Sequence, residues 1–291
     1  MQKRKRRLGD RYDGYRLRNV DPFFHLVPHV MPARSGSQVA FDERFSIGAA
    51  EKLVRKLKSE GAEVSMLHLV LAGIVRVMSQ KPRINRFVAG GKLYARNSIS
   101  LSFAIKRGMS EDAEESTIKT IFEPEDTFAD VAAKINAEYN ASAAQGSKNS
   151  TDKTAKILSR LPSFLLRFVV KCVKGLDSIG LMPKAINRVS PFHCSAFITD
   201  VGSLGLGPVY HHLYDFGSCS VFIALGRKET VHSHEPDGTI STKRYINLRF
   251  MVDERICEGY DYATAIRMFR KVMQNPEQLL SPPEKVAVDD K

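Results

Sequence analysis

The chain has no tryptophan and only four cysteines in 291 residues. Those cysteines, Cys172, Cys194, Cys219 and Cys257, are scattered and none forms a C-x-x-C pair. Their spacing gives no basis for a disulfide framework or a zinc site, and a reducing cytoplasm is the compartment that fits. No apolar run reaches the ~18 residues of a membrane span. No apolar stretch follows the basic N-terminus as it would in a secretory signal. The chain lacks a G-x-S-x-G elbow, a P-loop and any internal repeat. Gly202, Gly205 and Gly207 lie in one loop, but without the preceding strand and following helix of a dinucleotide site.

What the chain does have is positive charge. The formal net charge is +12, part of it in the run Lys3-Arg4-Lys5-Arg6-Arg7. Read from the sequence, that run is a solvated arm with no specific nucleic-acid signal. The remaining charge is spread out and would steer a polyanionic ligand. An apolar content of 43% suffices for a sizeable core.

Residues 1–36 read as a basic arm, with Pro22, Pro28 and Pro32 interrupting any helix. Phe23, Phe24, Leu26 and Val27 are expected to dock it. Val39, Phe41, Phe45 and Ile47 alternate as in a strand. Residues 49–58 have helical spacing, and Leu67, Val70, Leu71, Ile74, Val75 and Met78 form the stripe of a buried helix. Gly90-Gly91 marks a hairpin. Ile99, Leu101, Phe103 and Ile105 form a half-buried strand, and 117–122 is another candidate. Thr127 caps a helix to about 144, with Phe128, Val131, Ala132, Ile135 and Tyr139 inward. Residues 145–153 read as a polar loop.

The segment 157–186 is apolar and nearly continuous at 164–173. It reads as a core or subunit-interface helix. A membrane-surface helix is the other reading, given Arg160, Arg167, Lys171 and Lys174. From Ser195 the chain turns to strands, at 196–199, 220–225 and 240–252, with a turn at Pro236-Asp237-Gly238. Ala263, Ile266, Phe269 and Val272 mark a last helix, and 276–291 reads as a flexible tail. Strands and helices mix without a regular βαβ repeat, which indicates an α+β body spanning 37–275.

Chemistry concentrates at Asp253-Glu254-Arg255-Ile256-Cys257-Glu258-Gly259. This block resembles the D-H-R-x-x-D-G signature of the acyltransferase subunits of 2-oxoacid dehydrogenase complexes, and the H-H-x-x-x-D-G of chloramphenicol acetyltransferase. Lys81-Pro82-Arg83-Ile84-Asn85, Phe197-Ile198-Thr199-Asp200-Val201-Gly202 and Val221–Lys228 resemble other family stretches in the expected order. The resemblance covers residues 38–275. It implies a chloramphenicol acetyltransferase-like fold, a two-layer sandwich whose mixed sheet is covered by helices. It also implies a homotrimer with each site between two subunits, and coenzyme A or acyl-CoA as cosubstrate rather than a covalently bound cofactor.

Carried over residue by residue, the base position falls on Glu254 and the oxyanion-donating hydroxyl on Thr199. The acid that closes the signature is Glu258, which the resemblance expects to hold an arginine; Arg34 is one candidate. The departure is decisive for chemistry, because Glu254 stands where the family has histidine. A free thiol sits about 4 pKa units above a free glutamate, roughly 6 kcal/mol, against about 2 units for histidine. Two readings stay open: acyl transfer with Glu254 as an atypical base, and a non-enzymatic binding or assembly protein on the same trimeric scaffold. A nucleophilic Cys257 is the minor reading. His211, His212, His232 and His234 have no nearby carboxylate or cysteine and make a weak metal signal; structural roles are expected. Asp152-Lys153-Thr154 lacks the domain that would surround a lipoyl lysine, so a self-sufficient complex subunit is not expected.

Overall fold

The computed structural model describes residues 5–106, 115–144, 160–183, 186–187 and 190–289. Two sheets organise it. A three-stranded antiparallel sheet joins β1 (Gly14–Arg16), β4 (Lys92–Arg96) and β3 (Arg86–Ala89) in the order β1-β4-β3. A six-stranded mixed sheet has the order β2-β9-β8-β7-β5-β6. Its strands are β2 (Gln38–Ser46), β5 (Ile99–Lys106), β6 (Glu115–Phe122), β7 (Ala196–Asp200), β8 (Val221–His234) and β9 (Ile240–Asp253). β7 runs parallel to both β5 and β8, and the other pairings are antiparallel.

Period-2 alternation sends Ile198, Ile223, Leu225, Leu248 and Phe250 to one face, where they form the main core. Four helices supply its other half: α2 (Gly48–Ser59), α3 (Met66–Gln80), α4 (Phe128–Ala144) and α6 (Gly259–Gln274). On α3 the residues Leu69, Val70, Leu71 and Val75 have no solvent exposure. Ser65 caps that helix by accepting from the His68 backbone N–H at 3.3 Å. The opposite sheet face carries Phe197, Phe222, Ala224 and Met251, covered by the loop after β7 through Leu213 and Tyr214. The fold is the α+β sandwich expected from the sequence, a mixed sheet with helices on it. The hairpin glycines adopt φ +54° at Gly90 and +70° at Gly91, values a side chain would oppose.

Four expectations are corrected. The N-terminal arm is part of the body: β1 pairs with β4, and Leu17 is buried. It also contains a helix, α1 (Pro22–Val30), in spite of three prolines. Pro22 occupies the first turn, where no N–H is required, and Asp21 caps it through the Phe23 N–H at 2.9 Å. Phe24 and Val27 dock as expected, whereas Phe23 and Leu26 face solvent. Tyr139, expected to face inward, is 48% exposed.

The C-terminal segment is packed rather than flexible. Leu279 is buried, Arg86 makes a two-pronged pair with Asp289 at 2.6 and 2.7 Å, and the Ala287 N–H donates to the Ser79 carbonyl. Buried Arg76 also donates to the carbonyls of Gln278 and Ser281. Finally, the described part of the apolar segment forms helix α5 (Ser163–Ser178), whose one buried residue is Asp177. It is not part of the core of its own chain. The expected polar loop at 145–153 lies outside the described residues.

Candidate functional site

The signature begins where β9 ends. Asp253 pairs with Gln38 of β2, and the Glu254 N–H donates to the Ser37 carbonyl at 3.0 Å. Asp253 is fully buried. Its carboxylate accepts from Arg255 Nε and Nη2, both at 2.8 Å, while Arg255 Nη1 donates to the carbonyls of Met31 and Pro32 at 2.9 and 3.0 Å. The charge is thus neutralised in place, and the guanidinium ties the signature to the end of α1.

Arg34 also faces this carboxylate, its Nε at 3.5 Å from Asp253 Oδ2. Its other nitrogens donate to the carbonyls of Tyr214 and Val88. The arginine contacts of this signature therefore belong to Asp253. Glu258 is instead the N-cap residue of α6, and its backbone N–H donates to the Asp261 carboxylate at 3.3 Å. The Tyr262 hydroxyl donates to the Asp253 carbonyl at 2.9 Å. Burial raises that phenol well above its ordinary value, so it stays a donor.

Glu254 points the other way. It is exposed, has no ion pair among the described residues, and lines a groove of about 680 Å³. One wall is edge strand β2, through Val39 and Phe41; the other is the start of α6, through Tyr260, Tyr262 and Ala263. Arg267 and Arg270 stand at the rim, Arg270 paired with Glu43. Cys257 touches this groove but belongs to the main core, and burial pushes its thiol up to about 12. A thiol so rarely ionised is a poor nucleophile.

Thr199 is half-buried near the end of β7, and its hydroxyl has no partner among the described residues. It lies on the second sheet face, in the row Thr199, Ala224, Arg249, Asp42. Glu254 follows β9 five residues beyond Arg249 and two strands away. Strand rise and spacing then separate Thr199 from Glu254 by roughly 20 Å within one chain. The chain does not bring its two candidate groups together by itself.

The loop after β7 lays His211 against the same sheet face. Its ring stacks on Phe222 with centroids 4.2 Å apart, and Phe222 in turn stacks on Phe197 at 5.4 Å. His211 Nδ1 lies 2.7 Å from the His212 carbonyl and donates to it, which leaves Nε2 to accept from the Tyr214 hydroxyl at 3.4 Å. His212 donates to the Leu213 carbonyl at 3.2 Å. His232 and His234 lie on the exposed end of β8, and no group of side chains suited to a metal occurs among the described residues.

No family model and no curated protein matches the chain. Solved structures do. A probable dihydrolipoamide acetyltransferase of Listeria monocytogenes aligns over 93% of this chain and 96% of its own, with a TM-score of 0.56 and 12% identity. A dihydrolipoamide acetyltransferase of Azotobacter vinelandii aligns over 91% and 95%, with 0.56 and 11%. A chloramphenicol acetyltransferase aligns over 87% and 92%, with 0.50 and 10%. At these identities the likeness establishes the fold. The chain has the chloramphenicol acetyltransferase-like fold, shared with the catalytic cores of 2-oxoacid dehydrogenase complexes.

Proposed function

We propose that the chain is an acyltransferase, moving an acyl group between coenzyme A or another thioester and an acceptor, with a site completed by a second copy of itself. The observation that carries this reading is the roughly 20 Å between Thr199 and Glu254 in a chain whose fold otherwise serves acyl transfer. A neighbouring subunit that laid its Thr199 face against the groove at β2 would unite them. Edge strand β2 carries a 43% exposed Val39 and is the kind of surface that assembly covers. A homotrimer is the proposed assembly.

The Azotobacter enzyme supports the roles. Its structural study concerns a serine, a histidine and an asparagine in the catalytic mechanism, the last two four residues apart and the serine about fifty residues earlier. Glu254 and Glu258 share the first spacing, and Thr199 approximates the second. In the proposed step Glu254 takes the proton from the attacking acceptor, and the Thr199 hydroxyl donates to the tetrahedral oxyanion that forms as the acceptor bonds to the acyl carbon. The oxyanion then collapses, the thioester C–S bond breaks, and the departing thiolate takes the proton back from Glu254. Arg267 and Arg270, at the groove rim, are placed to attract the phosphates of coenzyme A.

A second reading rests on one specific observation. Glu254 is exposed to water in the single chain, and a general base needs a positioned, enclosed partner to act on. If assembly does not bury it, the groove binds without catalysing. Acetyl-CoA turnover with a panel of small acceptors separates the two. The enzyme reading expects turnover that Glu254→Gln abolishes and Glu254→His preserves or raises. Coenzyme A binding with no turnover in the wild type establishes the binding reading.

A further inference from the structure

Helix α5 carries an apolar stripe that its own chain leaves open. Phe164, Phe168, Cys172 and Leu176 follow at steps of four, with Leu165 and Ile179 beside them. Phe164 is 75% exposed, Phe168 63% and Ile179 67%. Leu166, Val169, Val173 and Asp177 face the body instead, at most half-buried except for Asp177. The helix is held at its C-terminal end. Asp177 accepts from Arg11 Nη2 at 2.6 Å and from His193 Nε2 at 3.2 Å, and its backbone carbonyl accepts a second Arg11 bond.

Charge on this segment has one sign. Arg167, Lys171 and Lys174 run along one flank of the stripe, and Arg160 precedes the helix. Across 160–183 the sole carboxylate is Asp177, which is buried and paired. Arg11, which clamps the helix, belongs to the same N-terminal segment as exposed Lys5, Arg6 and Arg7. Helix α1 exposes Phe23, Leu26 and Val30 as well, and its Pro28 and His29 line a groove with Lys174 and Ser178.

We infer that α5 is a membrane-surface helix that docks this protein on an anionic lipid bilayer. Aromatic and leucine side chains on one side, cations on the next and no exposed carboxylate are the make-up of a helix that lies in the headgroup plane. The same face of a second copy is the less fitting occupant of this stripe, since it would set Arg167, Lys171 and Lys174 against their own counterparts. The helix does not cross the bilayer: no helix among the described residues is long and apolar enough.

The test is flotation of the full chain with vesicles of phosphatidylcholine alone or with added phosphatidylserine, beside its oligomeric state by light scattering. Because the chain has no tryptophan, Phe168→Trp places a single reporter on the stripe. The wild type is expected to float only with phosphatidylserine vesicles, and less as salt rises. The reporter's emission should shift to the blue on binding. Phe164→Glu/Phe168→Glu should stay in the aqueous fraction with its assembly unchanged. Arg167→Gln/Lys171→Gln/Lys174→Gln should bind about a hundredfold more weakly. Wild-type protein that ignores both vesicles overturns the inference. Equal flotation with both also overturns it, as does a Phe164→Glu/Phe168→Glu variant that falls apart into monomers, because a second copy then covers the stripe.

Discussion

Asp253 and Arg255, two residues apart, form a two-pronged ion pair with no measurable solvent access on the carboxylate and 2% on the guanidinium. The pair lies directly beside Glu254 and fixes its backbone. It does so by joining the end of β9 to Met31 and Pro32 after α1.

Arg255→Ala leaves Asp253 with Arg34, at 3.5 Å, as its one ion partner among the described residues and with the residue 255 backbone N–H at 3.1 Å. A buried carboxylate stripped of its principal partner costs about 3–5 kcal/mol. Denaturant unfolding should show an unfolding free energy lowered by that amount, read as a lower midpoint at unchanged slope. Arg255→Lys should recover only part of it, since one ammonium cannot span both oxygens and two carbonyls. A variant as stable as wild type contradicts the anchoring role.

Acid should release α5. Burial alone would raise the Asp177 carboxyl, but hydrogen bonds and charge from His193 and Arg11 prevail and hold it at about 2, below its ordinary 3.8. The sign follows from linkage: the stabilisation is fully present above the ordinary value and is lost as pH falls toward about 2. Near neutral pH, Asp177→Asn should be less stable than wild type by on the order of 1–2 kcal/mol. The gap should close between about pH 4 and pH 2. Hydrogen exchange on α5, followed through that window, checks it; a gap independent of pH refutes the clamp.

Thiol reactivity should be selective. Cys172 lies exposed on α5, whereas Cys257 is buried with its thiol at about 12. Iodoacetamide at neutral pH should label Cys172 and leave Cys257 intact until the chain unfolds. Native labelling of Cys257, read by peptide mapping, would revive it as a nucleophile.

Much of this fold is legible in the amino-acid pattern. The two-residue alternation of Ile99, Leu101 and Phe103, and the stripe on α3, point inward as read. What misleads is apolar content without a destination. The Phe and Leu residues of α5 read as core or as a subunit interface, with a membrane surface as the other reading, and the structure leaves them in solvent on the single chain. Prolines mislead at α1, where Pro22 enters at the tolerated first position. The C-terminal segment is polar enough to suggest disorder, but Leu279 and Asp289 anchor it to partners about two hundred residues earlier in the chain. Of the site, the signature block and Thr199 could be singled out by resemblance. Their separation follows only from strand order, with β7 and β8 parallel and β9 antiparallel. The Asp253 and Arg255 pair, and the stacking of His211 on Phe222, carry no periodic signal that would have exposed them.

The central claim, a site made of Thr199 from one subunit and Glu254 from the next, is tested most directly by complementation. Thr199→Val and Glu254→Gln are each assayed for acetyl-CoA turnover alone, then unfolded together and reassembled as a mixture. Each alone should be reduced by at least about 10²-fold, as expected for a lost oxyanion donor or base. In mixed assemblies some interfaces pair an intact Thr199 with an intact Glu254, so activity should return to a substantial fraction of wild type. A mixture no more active than its components, or wild-type turnover that survives Glu254→Gln unchanged, contradicts the shared site and moves the base to His211 or His212.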